Sequence, residues 1–266
     1  MKKLPHGKLC SEKYCRIFAE KMYEYCRYSG APPCSPVPFI LDGEVCYCCC
    51  PGSGNAADTP FEAAEDEFVR AQDLAPGTDR ILAGRYRAGD EAPSWDSRIV
   101  DHSVGIVAGG AEGEPAFDYI YYLAYQAVDE DEPRAIVGTR DQLFLRLSGK
   151  VTPIQHLRPG DELVGARGGV SRVTFTVPSH YRGALHQLVF AGFDNETLDG
   201  HLLSANGVVT ADYSVQLACS TGEINPELLE LPAVVNRVPD GGADSRAFVA
   251  DEGRWPPGLT PRGAPT

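Results

Sequence analysis

The highest density of potentially reactive side chains in this sequence is a cysteine cluster at residues 46–50. Cys46, Cys48, Cys49 and Cys50 place four of the nine cysteines within five positions, and the next residues are Pro-Gly-Ser. A thiolate is both a strong nucleophile and a metal ligand, so the cluster could form disulfides, bind a metal ion or attack a carbonyl group. The chain is short and rich in cysteine before the cluster, and long and punctuated by Gly and Pro after it. A chain that cuts itself would carry its nucleophile at such a junction.

The other N-terminal cysteines leave the chemistry of this region open. Cys10, Cys15, Cys26 and Cys34 are spaced by 5, 11 and 8 residues, and none of these is the short spacing of a zinc knuckle. Disulfides or free thiols fit this pattern better than a metal site, which stays the alternative. We therefore predict no metal ion and no cofactor.

The net charge and the hydropathy of the chain limit the classes of molecule with which it could interact. The net charge is −13, and no run of basic residues offers the patch that nucleic acids or anionic membranes require. No apolar run approaches the roughly 18–20 residues that span a bilayer. The N-terminus lacks the apolar stretch of a signal peptide. We predict neither nucleic-acid binding nor a membrane span, and the compartment stays undetermined.

The sequence divides into three parts. Residues 1–48 form a Cys-rich leader with one predicted helix, for which Ser11 is a plausible N-cap. Residues 49–218 are predicted to be all-β, because short apolar runs alternate with Gly, Pro and Asp. Residues 219–266 form a tail rich in Pro and Gly that is predicted to be flexible.

The β region is predicted to hold many short strands. The one helical signal in it covers residues 62–73 and is predicted as a single turn. The predicted strands are 80–83, 97–100, 117–128, 134–138, 142–147, 162–165, 170–177, 184–191, 201–204, 207–210 and 213–218.

One segment of the β region is repeated. Residues 72–82 match residues 155–164 at an offset of 83 until a one-residue gap after the glycine. Each copy is a Leu-x-Pro-Gly turn that leads into a strand. The match predicts a β fold built by duplication, with two halves related by a pseudo-two-fold axis. The alternative is a hairpin lead-in that occurs twice by chance.

Taken together, these motifs resemble the Hint (hedgehog/intein) domain, and the hedgehog autoprocessing type most closely. The Cys-Cys-Pro-Gly-Ser sequence at 49–53 is similar to the Cys-Phe-Pro-Gly-Ser opening of hedgehog Hint domains. Residues 139–144, Thr-Arg-Asp-Gln-Leu-Phe, are similar to the Thr-x-x-His-Leu-Phe block. Residues 202–213 are similar to the block that ends in Ala-Ser-Cys-Tyr, and 99–102 to the segment that carries the family's Asp. The resemblance implies a duplicated β fold over residues 49–218.

The resemblance also implies self-processing. Cys49 would attack the carbonyl of Cys48, form a thioester and cleave the Cys48–Cys49 bond. Thr139 would polarise the amide, and Asp101 would take the proton from a second nucleophile. The substrate would be the chain's own N-terminal segment, and the acyl acceptor would be water or a small nucleophile. Cys46 and Cys50 stay open as alternative nucleophiles.

Two positions depart from the hedgehog pattern. Gln142 stands where His is expected, and a neutral carboxamide cannot shuttle a proton. Asp212 stands where hedgehog proteins carry Cys; it could act as an acid or base, or simply cap a strand end. Asp141 and His102 are candidate replacement proton donors by proximity in sequence. Two functions follow: slow self-processing, or a degenerate Hint fold that does not cleave and acts as a binding or structural module.

Four further histidines are predicted to lie on surfaces or at strand ends. They are His156, His180, His186 and His201.

Overall fold

The computed structural model describes residues 36–41, 44–49, 54–56, 58–75, 77–108, 117–128, 130, 132–181, 183–231 and 259–261. Within some of these strands and one helix only the backbone is described, as at 36–41, 44–49, 102–108, 117–119 and 259–261. Several predictions concern residues outside these ranges: the leader helix, Cys10, Cys15, Cys26, Cys34, Cys50 and most of the tail.

The described part of the chain is almost entirely β-structure, as predicted. Its one α-helix, α1 (Tyr213–Thr221), is nine residues long, and no described helix is long and apolar enough to cross a membrane. Single turns of 3-10 helix occur at Ala71–Asp73, Ile154–His156 and Pro226–Leu228. The strands are β1 (Pro36–Leu41), β2 (Glu44–Cys49), β3 (Asn55–Ala56), β4 (Pro60–Ala64), β5 (Glu67–Arg70), β6 (Arg80–Arg85), β7 (Ser94–Ile99), β8 (His102–Ala108), β9 (Phe117–Ala127), β10 (Arg134–Thr139), β11 (Leu143–Leu145), β12 (Val151–Pro153), β13 (Glu162–Val164), β14 (Val170–Tyr181), β15 (Gly183–Val189), β16 (Leu202–Ala205), β17 (Val208–Ala211) and β18 (Leu259–Pro261).

Two eight-stranded sheets carry the fold, and β1 and β2 form a separate hairpin. One sheet runs β13-β14-β9-β10-β3-β15-β8, with β18 paired to β14. The other runs β12-β11-β17-β16-β4-β5, and β6 joins β16 to β7. A buried apolar cluster takes Phe61 and Phe144 from the second sheet and Tyr125 and Leu188 from the first. The two sheets therefore share one core, as burial of their apolar faces requires.

The two copies of the repeat fold alike, which confirms the predicted duplication. Each copy begins with a turn of 3-10 helix and leads into a short strand, β6 in the first and β13 in the second. Asp79 Oδ2 accepts a hydrogen bond from the backbone N–H of Ala75 at 2.8 Å. Asp161 Oδ2 accepts the equivalent bond from Arg158 at 2.7 Å. The one-residue gap after the glycine thus brings the two aspartates into the same role.

The glycines of the two copies are also equivalent. Gly77 donates its N–H to the carbonyl of Val100, and Gly160 donates to Val173, both at 2.8 Å. Val100 and Val173 donate in return to the carbonyls of Asp79 and Asp161, at 3.0 and 2.8 Å. Both glycines have a positive φ, 75° and 92°, which is a backbone conformation that favours glycine.

One local prediction is wrong and another is confirmed. Residues 213–218 were expected to be a strand and form α1, because Asp212 caps the first turn and Gly222, at φ 72°, ends the helix. Within residues 62–73 the predicted single turn is present and covers Ala71–Asp73. The preceding residues form the β4–β5 hairpin, whose turn is made possible by Asp66 at φ 63°.

The duplicated turns predict matched effects of mutation. Asp79→Ala and Asp161→Ala each remove the acceptor of one backbone N–H, so each should lower the free energy of unfolding by about 1 kcal/mol. Asp161→Ala should cost more, because this carboxylate also pairs with Arg146 at 3.0 Å. Urea unfolding measures both. Asp79→Asn, which keeps an acceptor, is the control, and an effect confined to one copy would contradict the equivalence.

Candidate functional site

A small cleft lies beside β3 and is lined by residues that are distant from one another in the sequence. Its empty volume is about 180 Å³, including the space open to solvent. It includes two of the five predicted site residues, Gln142 and Asp212. Its lining is Gly54, Asn55, Gln142, His186, Leu188, Leu203, Ala211, Asp212, Tyr213 and Gln216.

The two-residue strand β3 brings the chain into this cleft. Asn55 is paired with Gly138 of β10 on one side and with His186 of β15 on the other. The carbonyl of Gly54 accepts a hydrogen bond from the N–H of Thr139 at 3.0 Å. Gly54 has a φ of 149°, which lies in the region that favours glycine. The peptide presented at the cleft is therefore Gly54–Asn55.

Thr139 lies beside this peptide, although it does not line the cleft. The residue is 4% exposed, and its hydroxyl Oγ1 is buried without a hydrogen-bond partner among the described residues. Burying a hydroxyl without a hydrogen-bond partner costs free energy, so its presence calls for an explanation, and a functional role is one such explanation. This hydroxyl belongs to the residue whose backbone N–H holds the Gly54 carbonyl.

Gln142 is held by a backbone carbonyl at the base of the cleft. Its Nε2 donates to the carbonyl of Ala211 at 3.4 Å, and Nε2 of Gln216 donates to the same carbonyl at 3.0 Å. Only the NH₂ end of a carboxamide can donate to a carbonyl, so this contact fixes the orientation of the Gln142 amide. Its Oε1 is then left buried without a partner in the described structure. Gln142 can accept a hydrogen bond in this orientation but cannot transfer a proton.

Asp212 is locked by hydrogen bonds. Oδ1 accepts from the N–H of Val215 at 3.2 Å and thereby caps α1. Oδ2 accepts from the N–H of Phe190 at 2.8 Å and lies 3.0 Å from His201 Nδ1. Asp212 is 1% exposed and His201 is 4% exposed. His201 directly precedes β16, so it lies at a strand end as predicted, and it is buried there. Both carboxylate oxygens of Asp212 therefore accept hydrogen bonds that hold the fold together.

The other predicted acids lie outside the cleft. Asp101 Oδ2 accepts from the N–H of Ala191 at 2.7 Å. Asp141 contacts Arg140 and Gln155, both at 3.4 Å. Burial raises the pKa of the Asp141 carboxyl, and the charge of Arg140 partly opposes this shift. Neither residue lines the cleft. The side chain of His102 lies outside the described positions.

The titratable residue that sequence reasoning missed is His186. It is half-buried and lines the cleft, and its Nδ1 is buried without a partner in the described structure. Burial lowers the pKa of its imidazole, and the charge of Asp73 partly opposes this shift. The prediction of a surface or strand-end histidine is wrong here. The signal for it is a long-range strand pairing with Asn55, which no local pattern contains.

Cys49 is described by its backbone alone. It is the last residue of β2, paired with Pro36 of β1. Residues 50–53, between it and Gly54, are outside the described ranges. Its role as a nucleophile stays a prediction, as do the alternatives Cys46 and Cys50. Within the described residues, no three His, Cys, Asp or Glu side chains are grouped closely enough to hold a metal ion.

Solved structures of inteins share similarity with the chain. The solution structure of a bacterial intein-like domain from Clostridium thermocellum is 16% identical, with a TM-score of 0.44, over 60% of this chain and 98% of that one. A DnaB intein from Synechocystis is 12% identical, with a TM-score of 0.43, over 60% of this chain and 98% of that one. The gp41-1 intein is 13% identical, with a TM-score of 0.40, over 60% of this chain and 99% of that one.

No protein-family model and no curated protein matches the sequence. The structural neighbours are inteins and an intein-like domain, and the hedgehog type stays a prediction.

The bonds of Asp212 predict a large effect on stability. Asp212→Ala leaves the N–H groups of Phe190 and Val215 and the ring of His201 without their acceptor. It should lower the free energy of unfolding by about 3 kcal/mol. Asp212→Asn keeps one carbonyl acceptor and should cost less. Thermal or urea unfolding measures both, with Asp101→Ala as the control for loss of a single, more exposed bond. An Asp212→Ala chain as stable as the unaltered one would contradict the structural role.

Proposed function

We propose that the chain contains an intein-like Hint domain that keeps the cleft of a self-processing domain but holds its own backbone there uncleaved. The observation that carries this proposal is the hydrogen bond from Thr139 to the Gly54 carbonyl, with Asn55 as the next residue. The domain would then serve as a binding or structural module, with its N-terminal segment kept attached.

The chemistry of an N–S acyl shift supports this proposal. The shift needs a thiol or hydroxyl on the residue that follows the scissile carbonyl. The residue that follows the Gly54 carbonyl is Asn55, whose carboxamide nitrogen is a poor nucleophile because its lone pair is delocalised. None of the described residues that line the cleft is Cys, Ser or Thr. A held carbonyl without an attacking group does not react.

The proton-transfer step is also weakened. Gln142 occupies the position of the expected His, and its amide is fixed by the carbonyl of Ala211. General acid–base catalysis is typically worth about 10²–10⁴-fold, so its loss would slow an acyl shift even if a thiol were present. Asp212 does not replace it, because both of its oxygens already accept hydrogen bonds.

Self-processing at Cys48–Cys49 is the second candidate. The Thr139 hydroxyl favours it: it is buried without a described partner on the residue that holds the carbonyl, and an oxyanion forming within its reach would gain a hydrogen bond. For this reaction the carbonyl of Cys48 would have to replace that of Gly54, six positions further along the chain. Such a shift would break the pairing of β3 with both β10 and β15. Cys49 would be the nucleophile and the N-terminal segment the substrate, as the motifs predict.

Mass spectrometry of the purified chain distinguishes the two functions. Incubated with dithiothreitol or hydroxylamine at neutral pH, the unaltered chain should stay intact, because no nucleophile follows the held carbonyl. Cys49→Ala, incubated in parallel, should likewise give only the mass of its own intact chain. A thiol-dependent fragment that starts at residue 49 and is absent from Cys49→Ala would reject the proposal in favour of self-processing.

Restoring the expected histidine should not start cleavage. Gln142→His supplies a proton-transfer group but no nucleophile, so the chain should stay intact in the same assay. Gln216→His, which places an imidazole on the other carboxamide bound to Ala211, is the matched control. If Gln142→His alone produced a fragment starting at residue 49, Cys49 would be the nucleophile and the proposed register of the site would be wrong.

A further inference from the structure

His186 stands directly across from the peptide presented at the cleft. Strand pairing places it opposite Asn55, and both residues line the same cleft, so their side chains share one face. Directly opposed residues on neighbouring antiparallel strands have Cβ atoms about 4.5–5.5 Å apart. An imidazole at this distance can reach both a side chain at position 55 and the nitrogen of that residue.

The ring is free to act on such a neighbour. The Nδ1 atom of His186 is buried and has no hydrogen-bond partner in the described part of the chain. Two other polar side chains of the cleft make hydrogen bonds to the fold: Asp212 caps α1, and Nε2 of Gln142 donates to Ala211. The Oε1 atom of Gln142 has no described partner, but a carboxamide oxygen cannot transfer a proton near neutral pH. His186 is therefore the one imidazole among the described residues that line the cleft. The carboxylate among them, Asp212, already accepts hydrogen bonds through both oxygens and is not available for proton transfer.

A held carbonyl completes the arrangement. The N–H of Thr139 donates to the carbonyl oxygen of Gly54 at 3.0 Å. The Thr139 hydroxyl, buried without a described partner, lies on the residue that makes this bond. A donor already bonded to the carbonyl is the geometry that stabilises the oxyanion of an acyl shift.

We propose that His186 is the proton-transfer group of this cleft, and that a thiol introduced by Asn55→Cys is enough to restore cleavage at the bond after Gly54. This inference rests on the proposed function, in which the peptide at the cleft is Gly54–Asn55 and lacks only a nucleophile. It assigns acid–base chemistry to a residue outside the Thr-x-x-His motif.

The proposed reaction has two steps. In the first, His186 takes the proton from the thiol of residue 55, and Sγ attacks the carbonyl carbon of Gly54. The C–N bond between residues 54 and 55 breaks, the imidazolium gives its proton to the departing nitrogen, and an internal thioester forms. In the second, a thiol of dithiothreitol attacks the thioester and takes the acyl group. Residues 1–54 leave as the dithiothreitol thioester, and residues 55–266 keep a free amine and a free thiol.

The test is a comparison of Asn55→Cys with the double variant Asn55→Cys/His186→Gln. Each full-length chain is incubated with dithiothreitol at neutral pH, and the fragment starting at residue 55 is quantified by mass spectrometry over time. Asn55→Cys should release this fragment. The double variant should release it about 100-fold more slowly or not at all, which is the lower end of the usual acid–base contribution. Asn55→Cys/His156→Gln is the matched control, because His156 does not line the cleft, and it should cleave like Asn55→Cys.

A second readout follows the thiol itself. In chains first reduced, alkylation by iodoacetamide at the peptide that carries residue 55 should be faster with His186 than with Gln at 186, because the imidazole favours the thiolate. Cooperative thermal unfolding of each variant checks the fold. If Asn55→Cys does not unfold cooperatively, Asn55→Ser with hydroxylamine as the acceptor takes its place in the same comparison.

The outcomes separate this inference from the proposed function. Equal cleavage with His and Gln at 186, or no cleavage by a folded Asn55→Cys or Asn55→Ser chain, would overturn the role of His186. Cleavage of the unaltered chain would instead overturn the proposed function. A fragment that starts at residue 49 in the Asn55→Cys chain would overturn both, because the peptide at the cleft would then be Cys48–Cys49.

Discussion

The hydrogen bond between the N–H of Thr139 and the carbonyl of Gly54 decides what this cleft can do. It sets the register of β3, which is only two residues long and is held between β10 and β15. Because side chains alternate along a strand, a slip of one residue would turn Asn55 away from the cleft. The identity of the residue that follows the held carbonyl therefore determines whether an acyl shift can begin, whatever thiols lie upstream.

The duplicated fold explains how so short a strand is held in place. The two Leu-x-Pro-Gly turns close their halves with the same hydrogen bonds, through Asp79 in one copy and Asp161 in the other. The strands that these turns start contribute to a core shared by both sheets. β3 is then paired on both edges and cannot shift without losing contacts to two strands. The rigidity that stabilises the domain also fixes the Gly54–Asn55 peptide.

The side chains around that peptide divide into structural and available groups. Asp212 uses both carboxylate oxygens, and Gln142 uses its Nε2, in hydrogen bonds that hold the helix cap and the carbonyl of Ala211. Thr139 Oγ1, His186 Nδ1 and Gln142 Oε1 have no hydrogen-bond partner among the described residues. The position of Gln142 could be predicted from the Thr-x-x-His spacing, because that motif is local. The duplication could be predicted for the same reason, since turn residues carry their own conformational preferences.

Other features depend on contacts that no local pattern contains. Strand β3 is too short to show a periodicity, and His186 reaches the cleft only through its pairing with Asn55. Residues 213–218 alternate in a way that favours a strand, but the cap by Asp212, which also binds Phe190 and His201, makes them a helix. The residues of the cysteine cluster predict Cys49 as the residue that follows the scissile carbonyl. The register of β3 instead places Asn55 directly after the carbonyl that Thr139 holds.

Disulfide mapping in the double variant Asn55→Cys/His186→Cys tests that register most directly. Opposed residues on neighbouring strands lie within the Cα spacing that a disulfide requires, and Cys49 competes for the same partner within the same chain. After mild oxidation and proteolysis, mass spectrometry should find positions 55 and 186 linked. A link between positions 49 and 186 would contradict the register and place the cysteine cluster in the cleft.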